Sequence, residues 1–330
     1  MKKILIVHLS GIGNTVAILP LINKIQRVYQ NSIIDILLAQ NRGGETIVKN
    51  ATQIKSIYFL EKIDYMNKFD KFLFLYKKSQ ELPKYDIAIT TYPNQGIFSA
   101  LLMYFSAGQR IQHRYKYGNF LLSYAPEIKY TNFVEQNLNL VPYKNLNEDF
   151  KINYHISEEN EKFAMEHIPN GKVIVGIHPG GFNDMEYKRY DINKWLNMIE
   201  MLHKKNSNYQ FFIFGGPSDD LSFFQENDYI KIFKDIALEK TIALISKVDI
   251  FLSNDSGLAH IASMFNKKQL ILFGATDPVY SKPYSENAFA ITPKNFKPFY
   301  IPHKGIVNKI NFYINEIDEE YIIKKIESLI

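Results

Sequence analysis

The sequence predicts an α/β protein of two domains, each with a parallel sheet covered on both faces by helices. Short apolar runs alternate with amphipathic stretches along the whole chain, which is typical of βα units. The pattern starts again near residue 150, and 330 residues suffice for two domains of ordinary size. Residues 142–157 mix proline, asparagine and acidic side chains with weak periodicity, as a linker does. We therefore expect domains at 1–150 and 151–330.

The first half begins with a predicted strand–helix–strand unit. Residues 3–8 and 33–38 are continuous apolar runs, as expected for strands that are covered on both faces. Between them, apolar residues recur at a spacing close to 3.6 over 15–29, which predicts a helix. Further elements are predicted as strands at 56–60, 72–75 and 86–90 and a helix at 97–105.

The second half repeats this alternation. Its predicted strands are 172–178, 209–214, 248–252 and 269–273. Its predicted helices are 192–203, 241–246, 257–265 and 319–329. The last of these helices is a candidate to pack back on the first domain.

Composition excludes several classes of function. The chain has no cysteine, which excludes a disulfide framework, a cysteine-ligated metal or iron–sulfur centre and a thiol nucleophile. No apolar run approaches the 18 residues typical of a membrane-spanning helix. The apolar start runs directly into residues 11–14 without a small-residue cleavage site, which favours a buried strand over a signal peptide. We therefore expect a cytoplasmic protein.

Charge is unevenly divided between the halves. Residues 1–150 contain 18 Lys and Arg against 11 Asp and Glu, a net charge of +7, whereas 151–330 carry −2. A basic first half suggests that the two halves meet different partners, although a solvated lysine surface explains the same numbers. If that partner is an anionic membrane surface, the contributing residues are Lys77, Lys78, Arg110, Arg114 and Lys116, with Tyr115 and Tyr117 at the interface.

Four loops are candidate ligand sites, because parallel sheets bind ligands beyond the carboxyl ends of their strands. The first, 10–14, places two glycines before a helix, so that its amides could meet a ligand; a tight turn without a ligand explains it equally well. It matches a dinucleotide fingerprint only in part. Val16 stands where the third glycine would fall, and Asp35 lies inside the second strand instead of closing it. A dehydrogenase is therefore a distant alternative.

The second and third loops carry charged residues after glycines. Residues 178–181 are followed by Lys188 and Arg189, a combination of backbone donors and cations that suits a diphosphate, although a solvated lysine is the simpler explanation. The third loop, 214–220, ends in Asp219 and Asp220. Either carboxylate could accept the hydroxyls of a ribose, or could cap a helix.

The fourth loop, 253–260, is the most informative. A strand runs into a polar turn, and a helix starts at about Ser256. Asp255 or Ser256 could cap this helix, and His260 could be a core histidine. A second polar turn, 272–278, follows the neighbouring strand directly. Two adjacent strand ends with such turns favour a single binding site.

These motifs resemble those of glycosyltransferase family 9, the lipopolysaccharide heptosyltransferases. The runs NDSGLAH at 254–260 and FGATDP at 273–278 are similar to the family's donor-site signature. The runs SGIGN at 10–14, VGIHPGG at 175–181, KRY at 188–190 and FGG at 214–216 occur in the family's order, so the resemblance covers most of the chain.

The resemblance implies a GT-B architecture, in which two Rossmann-like doubly wound domains face a cleft. The first domain would bind the acceptor and the second the nucleotide-sugar, which is a co-substrate, with no cofactor, metal or nucleic acid expected. The donor-binding residues implied are Gly180 and Gly181 at the diphosphate with Lys188, Asp219 or Asp220 at the ribose, Ile236 at the base, and Asp255, Ser256, Gly257, Leu258 and His260 at the sugar and phosphate end. The nearest imitation of a metal-binding D-x-D is Asp184-Met185-Glu186.

The catalytic position departs from the family. Asn14, next to Gly13, stands where the family usually has an aspartate that deprotonates the acceptor hydroxyl, and an amide cannot accept that proton. The base could be His8, Asp184 or Glu186. Alternatively, Asn14 orients the acceptor while the acceptor's own phosphate or carboxylate assists, or the chain has lost transferase activity. We favour the first two together, because the donor motifs are intact.

The leading hypothesis is an inverting, metal-independent transferase that moves a sugar, plausibly heptose from ADP-heptose, to a lipopolysaccharide or related glycan acceptor. An anionic glycolipid acceptor would bring the protein to the inner face of the cytoplasmic membrane. The alternatives are a transferase of the same fold that uses another nucleotide-sugar, and a nucleotide-binding scaffold without turnover.

Overall fold

A computed structural model describes residues 1–61, 66–142, 152–181 and 185–329. The chain divides into two compact units, Met1–Asn153 and Tyr154–Ile330. Each unit contains a parallel sheet with helices in its crossovers, which confirms the predicted fold class. Among the described residues, no helix combines the length and the apolar character that crossing a membrane requires.

The first unit is built on a five-stranded parallel sheet with the strand order β3-β2-β1-β4-β5. Its strands are β1 (Lys3–His8), β2 (Ile33–Ala39), β3 (Ser56–Leu60), β4 (Tyr85–Thr90) and β5 (Ala107–Ile111). Its helices are α1 (Ile12–Val28), α2 (Gly44–Ala51), α3 (Lys68–Glu81), α4 (Ile97–Ser106) and α5 (Phe133–Leu138), with a 3-10 turn η1 (Asn119–Leu121).

The central position of β1 in this sheet explains its continuous apolar sequence. β1 lies between β2 and β4, and its residues 4–7, whose side chains alternate between the two faces of the sheet, are all 0% exposed, so both faces are covered. The predicted strands at 3–8, 33–38, 56–60 and 86–90 and the helices at 15–29 and 97–105 are confirmed within a few residues. Helices α2 and α5 and strand β5 were not predicted.

The predicted strand at 72–75 is wrong, because these residues belong to α3. The apolar run was misread because α3 carries apolar side chains on two sides. Leu75 faces the core and is 2% exposed, whereas Phe72 and Leu73 point outward and are 37% and 38% exposed. A helix with apolar residues on both sides shows no clean 3.6-residue period.

The second unit contains a six-stranded parallel sheet with the order β11-β10-β9-β6-β7-β8, and a small antiparallel pair, β12-β13. Its strands are β6 (Val173–His178), β7 (Tyr209–Gly215), β8 (Ile230–Lys234), β9 (Ile250–Asn254), β10 (Lys268–Leu272), β11 (Ala288–Ile291), β12 (Tyr300–Ile301) and β13 (Gly305–Ile306). Its helices are α6 (Glu158–His167), α7 (Ile192–Lys205), α8 (Leu238–Ile245), α9 (Gly257–Met264), α10 (Pro278–Ser281) and α11 (Glu319–Leu329), with 3-10 turns η2 (Glu186–Lys188) and η3 (Tyr313–Glu316).

The predicted strands and helices of the second half correspond to β6, α7, β7, α8, β9, α9, β10 and α11. β8 and β11, at the two edges of the sheet, and α6 were missed. The last helix packs against α7 and β10, and its buried residues Ile322, Ile323 and Ile326 belong to the core of the second unit. Its apolar face is therefore occupied within that unit.

Candidate active site

The strand order of the second unit brings the candidate loops together. β10, β9, β6 and β7 are neighbours in that order, so the loops at their carboxyl ends lie side by side. The polar turns that follow β9 and β10 are thus adjacent, as the sequence predicted. One carboxylate of the second turn has a structural role, since Asp277 caps α10 by accepting a hydrogen bond from the Val279 amide at 2.9 Å.

The helix after β9 begins without a side-chain cap. Ser256 occupies the N-cap position of α9, but its side chain makes no capping hydrogen bond. Its Oγ lies instead 2.9 Å from Nδ1 of His178, at the end of β6. Gly257 and the buried Leu258 open the helix, so their amide groups stand at the positive end of the helix dipole. This arrangement suits an anionic group beyond the carboxyl end of β9.

Asp219 ties the loops after β6 and β7 together. Its Oδ1 accepts a hydrogen bond from the Gly181 amide at 3.2 Å, and its Oδ2 accepts one from the Gly216 amide at 2.9 Å. The Nε2 atom of His178 lies 3.3 Å from the same Oδ2. A β-carbon on Gly180 would collide with this carboxylate, which explains why a glycine is needed there.

These contacts favour the ionised form of the Asp219 carboxyl group. Burial opposes ionisation, but the hydrogen bond and charge of His178 and the amides of Gly216 and Gly181 outweigh it and hold the pKa of Asp219 below its usual value. Both carboxylate oxygens and the Gly181 amide are therefore occupied by contacts within the protein. Asp220 is exposed, where Oδ1 accepts hydrogen bonds from the Ser222 amide and hydroxyl. Of the two carboxylates predicted for a ribose, Asp220 is the more accessible.

Asn254 joins the loops after β6 and β9. It is fully buried, and its Nδ2 donates to the carbonyl oxygens of Pro179 at 2.6 Å and Gly180 at 3.1 Å. Its Oδ1 accepts a hydrogen bond from the Tyr190 amide at 3.2 Å. The sequence analysis gave this residue no role, although its place at the start of the NDSGLAH run was a usable signal. Asn254 positions the loop that carries Gly180.

Lys188 and Asp255 form a nearly buried ion pair. Nζ of Lys188 lies 2.8 Å from Oδ2 of Asp255, and the two side chains are 14% and 11% exposed. The ammonium also lies 5.0 Å from the ring centroid of Tyr300. Residues that are 67 positions apart are thus brought to the start of α9, as the predicted donor site requires.

His260 is a neutral imidazole beside this pair. It lies on α9 and is 7% exposed. Burial lowers the pKa of His260 to about 4, with Asp255 opposing the shift and Lys188 adding to it. A neutral imidazole can exchange hydrogen bonds with sugar hydroxyls without carrying charge. Ile236 follows β8 and is half-buried.

In the first unit, the loop after β1 is held by the loop after β4. The Leu9 amide donates to Oδ1 of Asn94 at 3.0 Å, and Nδ2 of Asn94 donates to Oγ of Ser10 at 2.9 Å. Gly13 and Asn14 lie in the first turn of α1, whose N-cap has no side-chain hydrogen bond and whose first turn has no acidic residue. Asn14 is half-buried there. Sequence reasoning missed Asn94.

His8 is a structural residue rather than an available base. It is fully buried, with Nδ1 2.7 Å from Oγ1 of Thr91 and Nε2 3.1 Å from Oγ1 of Thr15. Burial lowers the pKa of His8 to about 3. Both nitrogens are engaged and no solvent reaches them, so His8 is removed as a candidate base. Glu186 is exposed in η2, and Asp184 lies outside the described residues.

Beside this cluster, a cavity of about 470 Å³ is lined by Pro179, Gly180, Glu186, Arg189, Tyr190, Asp191, Ile192, Asn193, Asp219, Asp220, Phe223, Phe312 and Asn315. Within the described ranges, no group of three or more histidine, aspartate or glutamate side chains could hold a metal ion.

The chain is similar to known proteins along most of its length. The sequence profile of glycosyltransferase family 9 (heptosyltransferase) matches residues 77–298. Lipopolysaccharide heptosyltransferase 3 of Escherichia coli is 23% identical over 337 residues, which cover 96% of each chain. The structure of E. coli ADP-heptose lps heptosyltransferase II covers 99% of this chain and 98% of its own, with a TM-score of 0.76 at 18% identity. A glycosyl transferase family 9 structure from Veillonella parvula covers 99% and 97%, with a TM-score of 0.79 at 18% identity.

Proposed function

Because this chain belongs to glycosyltransferase family 9 and is therefore a glycosyltransferase, we propose that it transfers heptose from ADP-heptose to a lipopolysaccharide or related surface-glycan acceptor. The names of the relatives specify heptosyl transfer in lipopolysaccharide synthesis and, in one case, ADP-heptose. We further propose that the first domain binds the acceptor and the second the nucleotide-sugar. The transfer inverts the anomeric carbon and uses no metal ion.

The observation that carries this proposal is the start of α9 with its neighbouring cation. The amides of Ser256, Gly257 and Leu258 offer hydrogen-bond donors at the positive end of the helix. Lys188 adds an ammonium held in place by Asp255. Together they supply positive charge for the leaving diphosphate, which is the part of the donor that gains negative charge in the transition state.

In the proposed reaction, an acceptor hydroxyl oxygen attacks C1 of the heptose from the side opposite the diphosphate. A new C1–oxygen bond forms, the bond between C1 and the diphosphate oxygen breaks, and ADP leaves with that electron pair. The hydroxyl proton passes to a base. Neutral His260 orients sugar hydroxyls, and Asp255 holds Lys188 toward the phosphates. Asp220 meets the ribose and Ile236 borders the base.

The proton acceptor cannot be Asn14, whose amide has no basic site at neutral pH. We propose that Asn14 and Gly13, at the amino end of α1, orient the acceptor hydroxyl. The proton then passes to Glu186, to Asp184 or to an anionic group of the acceptor itself. General-base assistance contributes typically about 10²–10⁴-fold, so this choice governs the rate rather than donor binding.

A nucleotide panel tests the donor. We expect ADP and ADP-heptose to raise the melting temperature more than GDP, UDP or CDP and their sugars, because a ligand that binds only the folded state stabilises it by mass action. Preference for another nucleotide would support the alternative of a different nucleotide-sugar. Tight ADP binding with no transfer from ADP-heptose to any lipopolysaccharide-core acceptor would support the nucleotide-binding scaffold.

A further inference from the structure

Helix α3 turns a row of apolar side chains toward solvent. Phe69, Phe72, Leu73 and Tyr76 are 67%, 37%, 38% and 44% exposed. They stand at positions i, i+3, i+4 and i+7, so they form one continuous stripe along the helix, here called the α3 ridge. A different side of the same helix buries Leu75 in the core, with Phe74 packed against the same cluster. The packing of α3 on its own unit thus leaves the α3 ridge exposed to solvent.

The ridge continues onto α4. The ring of Phe105 makes edge contacts with Phe72 and Tyr76 at centroid distances of 5.8 and 5.1 Å. Tyr104, which is 51% exposed, lies 5.5 Å from Phe105. Contiguous exposed apolar surface of this kind marks interaction sites, whereas single exposed apolar residues need no explanation.

Basic side chains surround this surface. The Arg110 guanidinium lies 5.4 Å from the ring centroid of Tyr104. Lys71 lies 5.5 Å from that of Phe98. Lys68, Lys77 and Lys78 lie on α3, and Lys84 lies between α3 and β4; the acidic residues of α3 and β4 are Asp70, Glu81 and Asp86. An apolar stripe with a cationic rim suits an anionic bilayer surface.

A hydrogen-bonded loop adds exposed aromatic side chains beside α4. Asn119 fixes it by accepting a hydrogen bond from the Tyr115 amide at 3.0 Å and donating one to the Tyr115 carbonyl at 2.6 Å. Gly118 adopts a φ of +88°, and the following turn η1 packs on α4. Tyr117 and Phe120 are nevertheless exposed, Phe120 by 85%. Exposed aromatic rings on a hydrogen-bonded loop are consistent with insertion of those rings at the boundary between lipid headgroups and acyl chains.

Charge distinguishes the bilayer from a second copy of the chain. A twofold contact through the α3 ridge would place its own basic rim against itself, and like charges oppose such an interface.

The basic residues predicted from sequence are partly engaged within the protein. Lys78 pairs with Glu81, and Arg114 pairs with Glu127. Lys77 and Lys116 are exposed.

We propose that the α3 ridge, with Tyr104 and the loop around Phe120, docks this protein on an anionic lipid bilayer. The apolar side chains enter the boundary between headgroups and acyl chains, and the lysines meet lipid phosphates. Its use in reaching a lipid-borne acceptor rests on the proposed function, whereas bilayer binding itself does not.

Vesicle flotation tests the docking. We expect the protein to bind vesicles containing about 30% phosphatidylglycerol in phosphatidylethanolamine at least about tenfold more tightly than phosphatidylcholine vesicles, with the difference shrinking at high salt. The double variant Phe69→Ser/Tyr76→Ser should lose about tenfold or more of this binding. The matched control is Phe289→Ser/Tyr321→Ser, which removes two rings of the second unit that are 41% and 48% exposed and do not line the cavity beside the donor residues.

A fluorescent reporter follows insertion directly. The only tryptophan, Trp195, is fully buried, so its emission should stay constant. Phe69→Trp should shift its emission to the blue on anionic vesicles, and Phe289→Trp should not. Equal binding to both vesicle types, unchanged binding of the ridge variant, or no blue shift would overturn the proposal. So would a ridge variant that converts a dimer to a monomer in light scattering, since the face would then join two copies.

Measurements of ADP affinity and of transfer to a lipid-free oligosaccharide distinguish a failure of the docking proposal from a failure of the proposed function. The ridge variant should retain ADP affinity, because the donor residues lie in the second unit. It should also retain transfer to the oligosaccharide, because the residues proposed to orient the acceptor, Gly13 and Asn14, lie on α1 and not on α3. Loss of vesicle binding with intact transfer tests docking alone. Absence of transfer in the unaltered protein refutes the proposed function and leaves the vesicle result standing.

Discussion

Removing the ammonium of Lys188 should affect stability and donor binding by separate routes. In the folded protein this ammonium lies 2.8 Å from Asp255, and the two side chains are 14% and 11% exposed. Lys188→Ala leaves the Asp255 carboxylate almost buried without its ammonium partner. In the proposed complex the same variant also removes a charge-assisted contact to the diphosphate.

The two effects have different sizes. Breaking a buried ion pair by deleting one partner costs about 3–5 kcal/mol, and the residual exposure here places the expected loss near the lower figure. A hydrogen bond to a charged group contributes about 1.5–3 kcal/mol, which corresponds to ADP binding that is weaker by roughly 10- to 150-fold. The double variant Lys188→Ala/Asp255→Ala has no unpaired charge. It should therefore regain much of the stability while ADP binding stays weak.

Urea unfolding and calorimetric titration with ADP on the same preparations measure both quantities. Lys194→Ala is the matched control, because Lys194 also pairs with a carboxylate, Glu319 at 3.2 Å, and lies 5.4 Å from the ring centroid of Tyr190. That pair is more exposed, so its loss should cost about 0–1 kcal/mol and leave ADP affinity unchanged. If Lys188→Ala binds ADP as tightly as the unaltered protein, Lys188 is not in the donor site. If the double variant recovers affinity together with stability, the lysine acts only through the fold.

Three further predictions concern the loops and the buried histidines. Asn14→Asp should increase transfer and add a carboxylate limb to the pH profile if residue 14 replaces a lost base; an unchanged rate would direct the search to Glu186. Gly180→Ala should destabilise the protein and weaken ADP binding, because its β-carbon displaces the Asp219 carboxylate; unfolding and titration check this, and a fold and affinity like those of the unaltered protein would contradict it. The folded-state pKa values of His8 and His260, about 3 and about 4, lie below the ordinary 6.5, so their contribution to stability is complete above pH 6.5 and is lost as pH falls toward the folded values. The free energy of unfolding should therefore decrease on acidification from pH 7 to pH 4, and a value independent of pH over that range would refute the assignment.

The sheet cores were predictable because burial on both faces leaves a direct mark on sequence. β1 begins and ends where its apolar run does, and β6 and β7 differ from their predicted bounds by one residue at one end. The edge strands β8 and β11 were missed for two reasons. β8 (IKIFK) has lysines between its apolar residues, and β11 (AFAI) is apolar but only four residues long. The candidate ligand loops could be predicted because parallel sheets bind ligands beyond the carboxyl ends of their strands. Applying that rule requires only the positions of the strands and a parallel sheet.

Side-chain roles within those loops were less predictable, since they depend on which strands become neighbours. Asp219 could be assigned to ribose from sequence because it follows a strand. Its actual contacts with Gly181 and His178 cross from the β7 loop to the β6 loop. Likewise, His8 was a candidate base from sequence, whereas in the structure Thr91, 83 residues away along the chain, lies within hydrogen-bond distance of one of its ring nitrogens. Side-chain contacts between segments that are far apart along the chain cannot be inferred from a single sequence.

The failed strand at 72–75 has a different cause. Here the local pattern was read correctly as apolar, and the error lay in assuming that all apolar side chains face the core. Natural sequences tend to agree at every level, so a helix that carries apolar residues on a face it does not bury indicates a requirement other than folding. Tyr76 contacts the edge of Phe105, yet Phe69 and Tyr76 remain 67% and 44% exposed. The residues that made α3 hard to predict are therefore the ones for which an external surface is the physical explanation.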